Sequence, residues 1–345
     1  MTKLIITLLL LSSLFYLNGQ EIHLQNIRQL TWGGDNAEAY FSSGGKKLCF
    51  QSNNKAWGLS CDQIFLLNIE ETLTDPARKP ELISTGFGRT TCSYFLSDDQ
   101  QILYASTHEG GKSCPEVPHI KDKYLWPVYD TYDIYVADLS GRIIKKLTDS
   151  PGYDAEATVS PVGDKIVFTS TRSGDLELWT MDIDGTNLQQ VTFGLGYDGG
   201  AFFSPDGKKL VFRSSRPQTE DEIKEYKDFL KQGLVAPTNM EIYICNVDGS
   251  QLQQVTHLGK ANWAPYFLPA GNKIIFSSNY SSQRGYDFNL YMINIDGTGL
   301  EKITEESNFN AFPMFSPDGK HLVFSSNRNN NGTHDTNVFI ADWKD

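Results

Sequence analysis

Histidine and cysteine are scarce in this sequence, six and five residues of 345. So few histidines leave little material for a histidine-rich metal centre, and no H-E-x-x-H pair is present. A G-x-S-x-G nucleophile elbow is also missing, as is a separate α/β region to carry one, so no catalytic nucleophile is assigned. Positive charge is short as well: 30 Lys and Arg against 42 Asp and Glu leave a formal net charge of −12. Nucleic-acid phosphates need a basic footprint, so a nucleic-acid partner is excluded. Long apolar runs are confined to the start of the chain. There Lys3 precedes the apolar stretch Leu4–Tyr16, which is too short to span a bilayer, and Gly19 suits the position before a cleavage site. The pattern predicts a signal peptide over residues 1–19 and an exported protein, periplasmic or secreted, with no membrane span after cleavage. Removing Lys3 takes the net charge to about −13.

What is present is repetition. "FSPDGK" occurs at Phe203–Lys208 and again at Phe315–Lys320, and the flanks repeat with it: "AFFSPDGKKLVFRSSR" and "PMFSPDGKHLVFSSNR". Four weaker copies follow the same pattern: "AYFSSGGKKLCFQSNN", "SYFLSDDQQILYASTH", "ATVSPVGDKIVFTSTR" and "PYFLPAGNKIIFSSNY". The six copies are anchored on Phe50, Tyr104, Phe168, Phe212, Phe276 and Phe324. The shortest spacing, about 44 residues, is the size of a propeller blade.

Each copy reads as four short strands. Strand A runs into a turn such as Ser204-Pro205-Asp206-Gly207, with the residue preferences of a type I turn. Strand B ("KKLVFRSS") is apolar enough to be buried between sheets. Strand C carries patterns such as "LELWTMDIDG" and "NLYMINIDG", whose Asp-Gly pairs signal a hairpin into strand D ("LQQVT", "LEKIT"). Four antiparallel strands in tandem repeat build a β-propeller blade. The chain starts on an orphan D strand, "NIRQLT", and ends on an orphan C strand, "NVFIADW". The expected fold is therefore all-β: a six-bladed ring of four-stranded blades over residues 20–345, closed by Ile27–Thr31 completing the last blade. An open solenoid would need capping repeats, and none is visible.

"FSPDGK" followed by "LVFSSNR" resembles the PD40, or WD40-like, repeats of TolB-type propellers, over essentially the whole stretch from Ile27 to Trp343. The resemblance implies fold more specifically than role. TolB-type propellers are periplasmic docking platforms in envelope complexes, while related propellers cap serine peptidases or form lyase sites. No α/β domain is expected before the propeller, unlike TolB itself, so the chain is more similar to stand-alone exported members of the family.

An odd number of cysteines leaves at least one thiol unpaired within the chain. Cys49 and Cys245 lie in apolar strand patterns and read as core thiols. Cys61 and Cys114 fall in corresponding loops of neighbouring repeats and are the expected disulfide, with Cys92 competing for either half.

In an alternating ring the A–B and C–D turns share one face, and the B–C and D–A loops share the other. The long insertions, 107–133 and 216–240, both lie between strands B and C, which makes the loop face the expected working face. The second carries helical spacing at Ile223, Tyr226, Phe229 and Leu230. Five residues before each A-strand anchor stand Asn36, Thr90, Asp154, Asp198, Asn262 and Asn310, which are expected to ring the channel mouth. Two positions on come Glu38, Cys92, Glu156, Gly200, Ala264 and Phe312. These columns could bind a divalent cation or a polar chain end, or serve as loop caps. A third column, after strand B, holds Asn54, His108, Arg172, Arg216, Tyr280 and Arg328. Its arginines either grip carboxylate or phosphate groups or pair with the acidic column. His108, His119 and Asp133 match no standard metal spacing. Tyr124, Trp126, Tyr129 and Tyr132 suit protein or glycan recognition, or packing of the loop onto the ring.

The sequence thus favours a non-catalytic platform for an envelope or extracellular protein, peptide or glycan, without a cofactor. The alternative is a metal-assisted hydrolase or lyase acting on a polyanionic saccharide at the channel mouth, with Asp154, Glu156 and Asp198 holding the cation.

Overall fold

The computed structural model describes residues 21–345, so the expected signal peptide lies outside the described residues. Six four-stranded antiparallel sheets form the blades, each in the order A-B-C-D. Blade 1 runs from strand A at Asp35–Phe41, blade 2 from Thr90–Phe95, blade 3 from Asp154–Val159, blade 4 from Asp198–Phe203, blade 5 from Asn262–Phe267 and blade 6 from Asn310–Phe315. The ring closes as the sequence predicts. Leu24–Gln29, starting three residues earlier than expected, pairs antiparallel with the C strand Asn337–Trp343 and becomes strand D of blade 6.

The repeated hexapeptide makes the A–B turn. Gly207 N donates to Ser204 O at 2.8 Å, Ser204 Oγ donates to Asp206 at 2.6 Å, and Lys208 N donates to Asp206 at 3.1 Å. Gly207 sits at φ +70°, the left-handed region where a side chain is strained. The second copy repeats all three contacts through Ser316, Asp318 and Gly319. The Asp-Gly turns do more than reverse the chain. A Cβ on Gly249 would lie 2.1 Å from Val191 O of the preceding blade, so glycine there also permits blade-to-blade contact.

The six anchors explain the core. Phe50, Tyr104, Phe168, Phe212, Phe276 and Phe324 are all fully buried. Each stands opposite an aromatic residue of strand C: Phe65, Tyr135, Trp179, Tyr243, Tyr291 and Phe339. Five of these pairs hold ring centroids 6.0–6.3 Å apart, in the range where aromatic pairs add to area burial.

Both insertions are ordered and they meet. Trp126–Pro127 of the blade 2 insertion pairs antiparallel with Leu234–Val235 of the blade 4 insertion. The helical spacing forms a helix at Glu220–Leu230, started by a capping box between Thr219 and Glu222, with Tyr226 and Phe229 buried.

All five cysteines are free thiols, so the expected Cys61–Cys114 disulfide is not formed. The two residues are nonetheless neighbours. Cys61 Sγ donates to Gly88 O at 2.9 Å, and Arg89 Nη2 lies 3.8 Å from Cys114 Sγ. Burial, then the hydrogen bond and charge of Cys114, push the Cys61 thiol up to about 12. Cys49 and Cys245 are fully buried, as the sequence indicates. At pH 8, iodoacetamide is therefore expected to label the partly exposed Cys114 first and to spare Cys49, Cys61 and Cys245 while the ring is folded. Peptide mass mapping reads the order, and early labelling of Cys61 would contradict it.

Candidate functional site

The first sequence column does not face the channel. Asn36, Thr90, Asp154, Asp198, Asn262 and Asn310 are each at most 1% exposed and turn into the junctions between blades. Ser52, Ser278 and Ser326, at the ends of B strands, donate to Asn36, Asn262 and Asn310 at 2.6–2.9 Å. The amide of Asn36 donates to Gly33 O and Thr336 O, and that of Asn262 to Met240 O and Gly259 O. The side chains satisfy loop backbone, because a buried carbonyl without a donor is costly.

The arginine column pairs with this ring. Arg172 holds both oxygens of Asp154 at 2.8–2.9 Å, and Arg216 lies 2.7–2.8 Å from Asp198. Arg328 reaches Asn310 at 3.0 Å and both oxygens of Glu21. Each guanidinium also lies 4.9–5.4 Å from the ring centroid of an aromatic in its own blade: Phe168, Tyr243 or Phe324. Of the two expected roles, these arginines occupy the structural one. His108 packs on Tyr135 at 4.5 Å with Nδ1 3.1 Å from Ser106 Oγ, and burial lowers its pKa. His119 lies on the exposed part of the insertion.

The second column is the one that lines the channel. Glu38, Cys92, Glu156, Gly200, Ala264 and Phe312 all have φ between +47° and +59°. The register of every A–B pair shifts there. A bulge at this position bends each innermost strand and turns one residue per blade inward. Five of the six carry side chains despite the left-handed backbone, a strain repeated around the axis.

Glu156 is the centre of this column. It accepts from Thr169 Oγ1 at 2.7 Å, Tyr197 OH at 2.6 and 2.7 Å, Gly200 N at 2.9 Å, and the guanidinium of Arg213. Arg213 also donates to Tyr197 OH at 2.6 Å and lies 5.0 Å from the Trp126 ring centroid, which ties the blade 2 insertion to the ion pair. Half-buried Glu38 keeps one oxygen without a partner, and burial raises its carboxyl to about 6 against the pull of Cys92 and Arg213. Arg213 was not among the sequence candidates. Its signal was a charged residue inside the otherwise apolar "KKLVFRSS".

Aromatic side chains pack on both sides of this cluster. On the loop face Trp263 stacks on Phe288 at 4.2 Å, meets Trp126 at 5.1 Å, and donates from Nε1 to Pro237 O at 2.8 Å. The paired insertions thus pack over the blade 4 and blade 5 side of the expected mouth, while Glu38, Cys92 and Phe312 stay partly exposed. Trp126 and Tyr132 of the aromatic insertion pack onto the ring. On the other side Tyr40, Tyr94, Phe202 and Tyr266 pack ring against ring at 5.2–6.2 Å and plug the axis. A cavity of about 30 Å³ remains between plug and cap, lined by Glu38, Cys92, Glu156 and Arg213 among others.

Beyond the plug, on the face of the A–B turns, the channel opens into a funnel of about 370 Å³ lined by all six blades. Tyr94, Phe202, Tyr266 and Met314 form its floor. Its rim is Pro161, Pro205, Pro269, Pro317, Ser43 and Ser97. None of its lining residues is charged.

A family model described as the TolB beta propeller domain, PD40, matches residues 128–233 and 234–336, more than half of the chain. The chain belongs to the TolB β-propeller family. Its ring resembles that of a putative TolB from Agrobacterium tumefaciens, at 20% identity and a TM-score of 0.60, over 92% of this chain and 97% of that one. TolB from Acinetobacter baumannii matches at 18% identity and a TM-score of 0.59, over 87% of this chain and 64% of that chain. An oligogalacturonate lyase in complex with manganese matches at 14% identity and a TM-score of 0.51, over 92% and 93%. At these identities the likeness is one of fold. None of the curated proteins compared matches the chain. Among the described residues, no helix of this TolB-family propeller is long and apolar enough to cross a membrane.

Proposed function

We propose that this TolB-family propeller is a non-catalytic docking platform of the periplasm or the extracellular space. Its axial funnel, on the face of the A–B turns, receives an uncharged segment of a partner protein. The carrying observation is the funnel itself: about 370 Å³, on the axis, floored by aromatics and rimmed by proline and serine, with no charged lining residue. Aromatic floors with a few hydroxyls suit apolar side chains or extended peptide, and a volume of this size holds one or two residues. A polyanionic saccharide would meet no cation there. The arginines and carboxylates that a metal-assisted lyase would need are engaged with one another at the blade junctions, which also supports docking.

The test is site-specific photo-crosslinking in the host, with the crosslinking residue at Ser97 on the funnel rim or at Tyr286 on the exposed loop face. A discrete protein adduct from position 97, absent from position 286 and lost when Ser43→Trp narrows the funnel, is the expected result. Adducts confined to position 286 would overturn the reading.

A further inference from the structure

The junctions between blades carry one repeated pair, the first residue of a C strand facing the first residue of the next A strand. At three junctions an amide hydrogen-bonds the two, Glu241 with Asn262, Asn289 with Asn310, and Asn337 with Asn36, and between blades 1 and 2 the positions hold Gln63 and Thr90. Between blades 2 and 3 both partners are acids, Asp133 and Asp154. Two cations balance them: Lys146, 2.9 Å from Asp133, and Arg172 on Asp154.

Between blades 3 and 4 the balance fails. Glu177 and Asp198 are both acids, 3% and 0% exposed, and they share a single cation, Arg216. The strand D position that holds Lys146 in blade 2, opposite Tyr135, is Gln190 in blade 3, opposite Trp179. Glu177 Oε2 is buried without a hydrogen-bond partner. A third carboxylate, Asp175, lies beside the pair, accepting from Gly196 N at 3.1 Å and from Tyr226 OH of the insertion helix. Two buried acids and a half-buried third under one arginine favour retention of a proton over a further full charge.

We propose that the Glu177–Asp198 pair carries one proton, and that the blade 4 insertion is latched down by the uptake of that proton. The helix Glu220–Leu230 covers the acids through Tyr226, and its leading segment starts at Arg216, the single cation. Ionisation of Glu177 sets three carboxylates against that arginine, and the charge is relieved by lifting the helix and admitting water. The groups facing Glu177 are Asp198 and Arg216 of blade 4, Asp175 of its own loop, and the Thr192 hydroxyl of strand D. Tyr226 faces Asp175 and Asp198 from the helix, while Tyr243 and Cys245 face Asp198 from strand C. Burial first, then the charges of Asp198 and Asp175, raise the Glu177 carboxyl from 4.5 to about 8.

The sign follows from linkage. The closed latch binds its proton up to about pH 8, whereas an opened, hydrated Glu177 loses it near 4.5. Opening therefore becomes more favourable by about tenfold per pH unit between those limits and levels off above the upper one. The experiment is backbone-amide hydrogen exchange of residues 216–240, corrected for intrinsic rate, at pH 6 and pH 8. In the wild-type protein, protection is expected to fall by up to about 100-fold. Glu177→Gln removes the ionisation, and Gln190→Lys supplies the missing cation as blade 2 does; each is expected to flatten the profile. Gln190 is half-buried on a strand of two residues, so its variant serves even if Glu177→Gln fails to fold. Unchanged wild-type protection between the two pH values, or a profile that both variants leave intact, would overturn the latch.

Discussion

Replacing Arg213 by methionine is expected to lower the free energy of unfolding by about 3–5 kcal/mol, the cost of leaving a buried charge without its partner. Glu156 would keep donors from Thr169, Tyr197 and Gly200, which hold a carboxylate in place without neutralising it. The same change removes the guanidinium packed on Trp126, so the insertion cap loses a contact with the ring. Urea unfolding followed by tryptophan fluorescence reads the loss. Adding Glu156→Gln in the Arg213→Met background is expected to recover most of it, because buried ion pairs replaced on both sides are often close to neutral. Equal loss in the single and double variants would mean that Arg213 acts through shape alone.

A chain lacking residues 21–31 is expected to have no stable folded monomer at 25 °C. Those residues supply strand D of blade 6, the buried side chains of Leu24 and Leu30, the Arg28–Asp342 pair and the Glu21–Arg328 pair. Each buried leucine contributes about 2–5 kcal/mol, and each lost hydrogen bond about 1 kcal/mol more. Their sum is comparable to the whole stability of an ordinary domain, about 5–15 kcal/mol. Removal would also bare the edge of the C strand Asn337–Trp343, an invitation to pairing between chains. Size-exclusion chromatography and thermal unfolding of the truncated protein test this. A synthetic peptide of residues 21–31 added in trans is expected to restore a cooperative transition. A truncated monomer with wild-type thermal stability would show that the ring does not depend on closure by this strand.

The two expectations rest on different kinds of legibility. The closing strand could be read from "NIRQLT" and "NVFIADW", because an unpaired D and an unpaired C are complementary in any ring of this type. The Arg213–Glu156 pair could not. Both residues were visible, but they lie 57 positions apart in neighbouring blades. Their meeting depends on the bulge that turns Glu156 toward the axis.

The candidate site divides the same way. Counting along the repeat located the correct columns and their equivalence between blades. It put both columns at the channel mouth; the structure keeps Glu38, Cys92, Glu156 and their counterparts on the channel and turns Asn36, Asp154 and Asp198 into the blade junctions. The two columns are two residues apart, which in a regular strand puts them on one face. The left-handed residue at the second position breaks that rule six times over, so strand periodicity gave the wrong facing. Long loops point to the loop face as the working face. Those loops pair with one another through Trp126–Pro127 and Leu234–Val235 and pack over part of the mouth they were expected to frame.

By itself the sequence determined the ring: six anchors, the turn built by "FSPDGK", the strand order, and closure by the termini. These follow from short-range chemistry repeated at blade spacing, in which each unit carries its own turn residues and apolar pattern. Only the tertiary structure decided how each end of the channel is lined, which carboxylates face the axis, and that blades 3 and 4 meet over two acids and one arginine. Those features arise between segments that are distant in sequence, where register, bulges and insertion contacts set the distances. No local pattern encodes them.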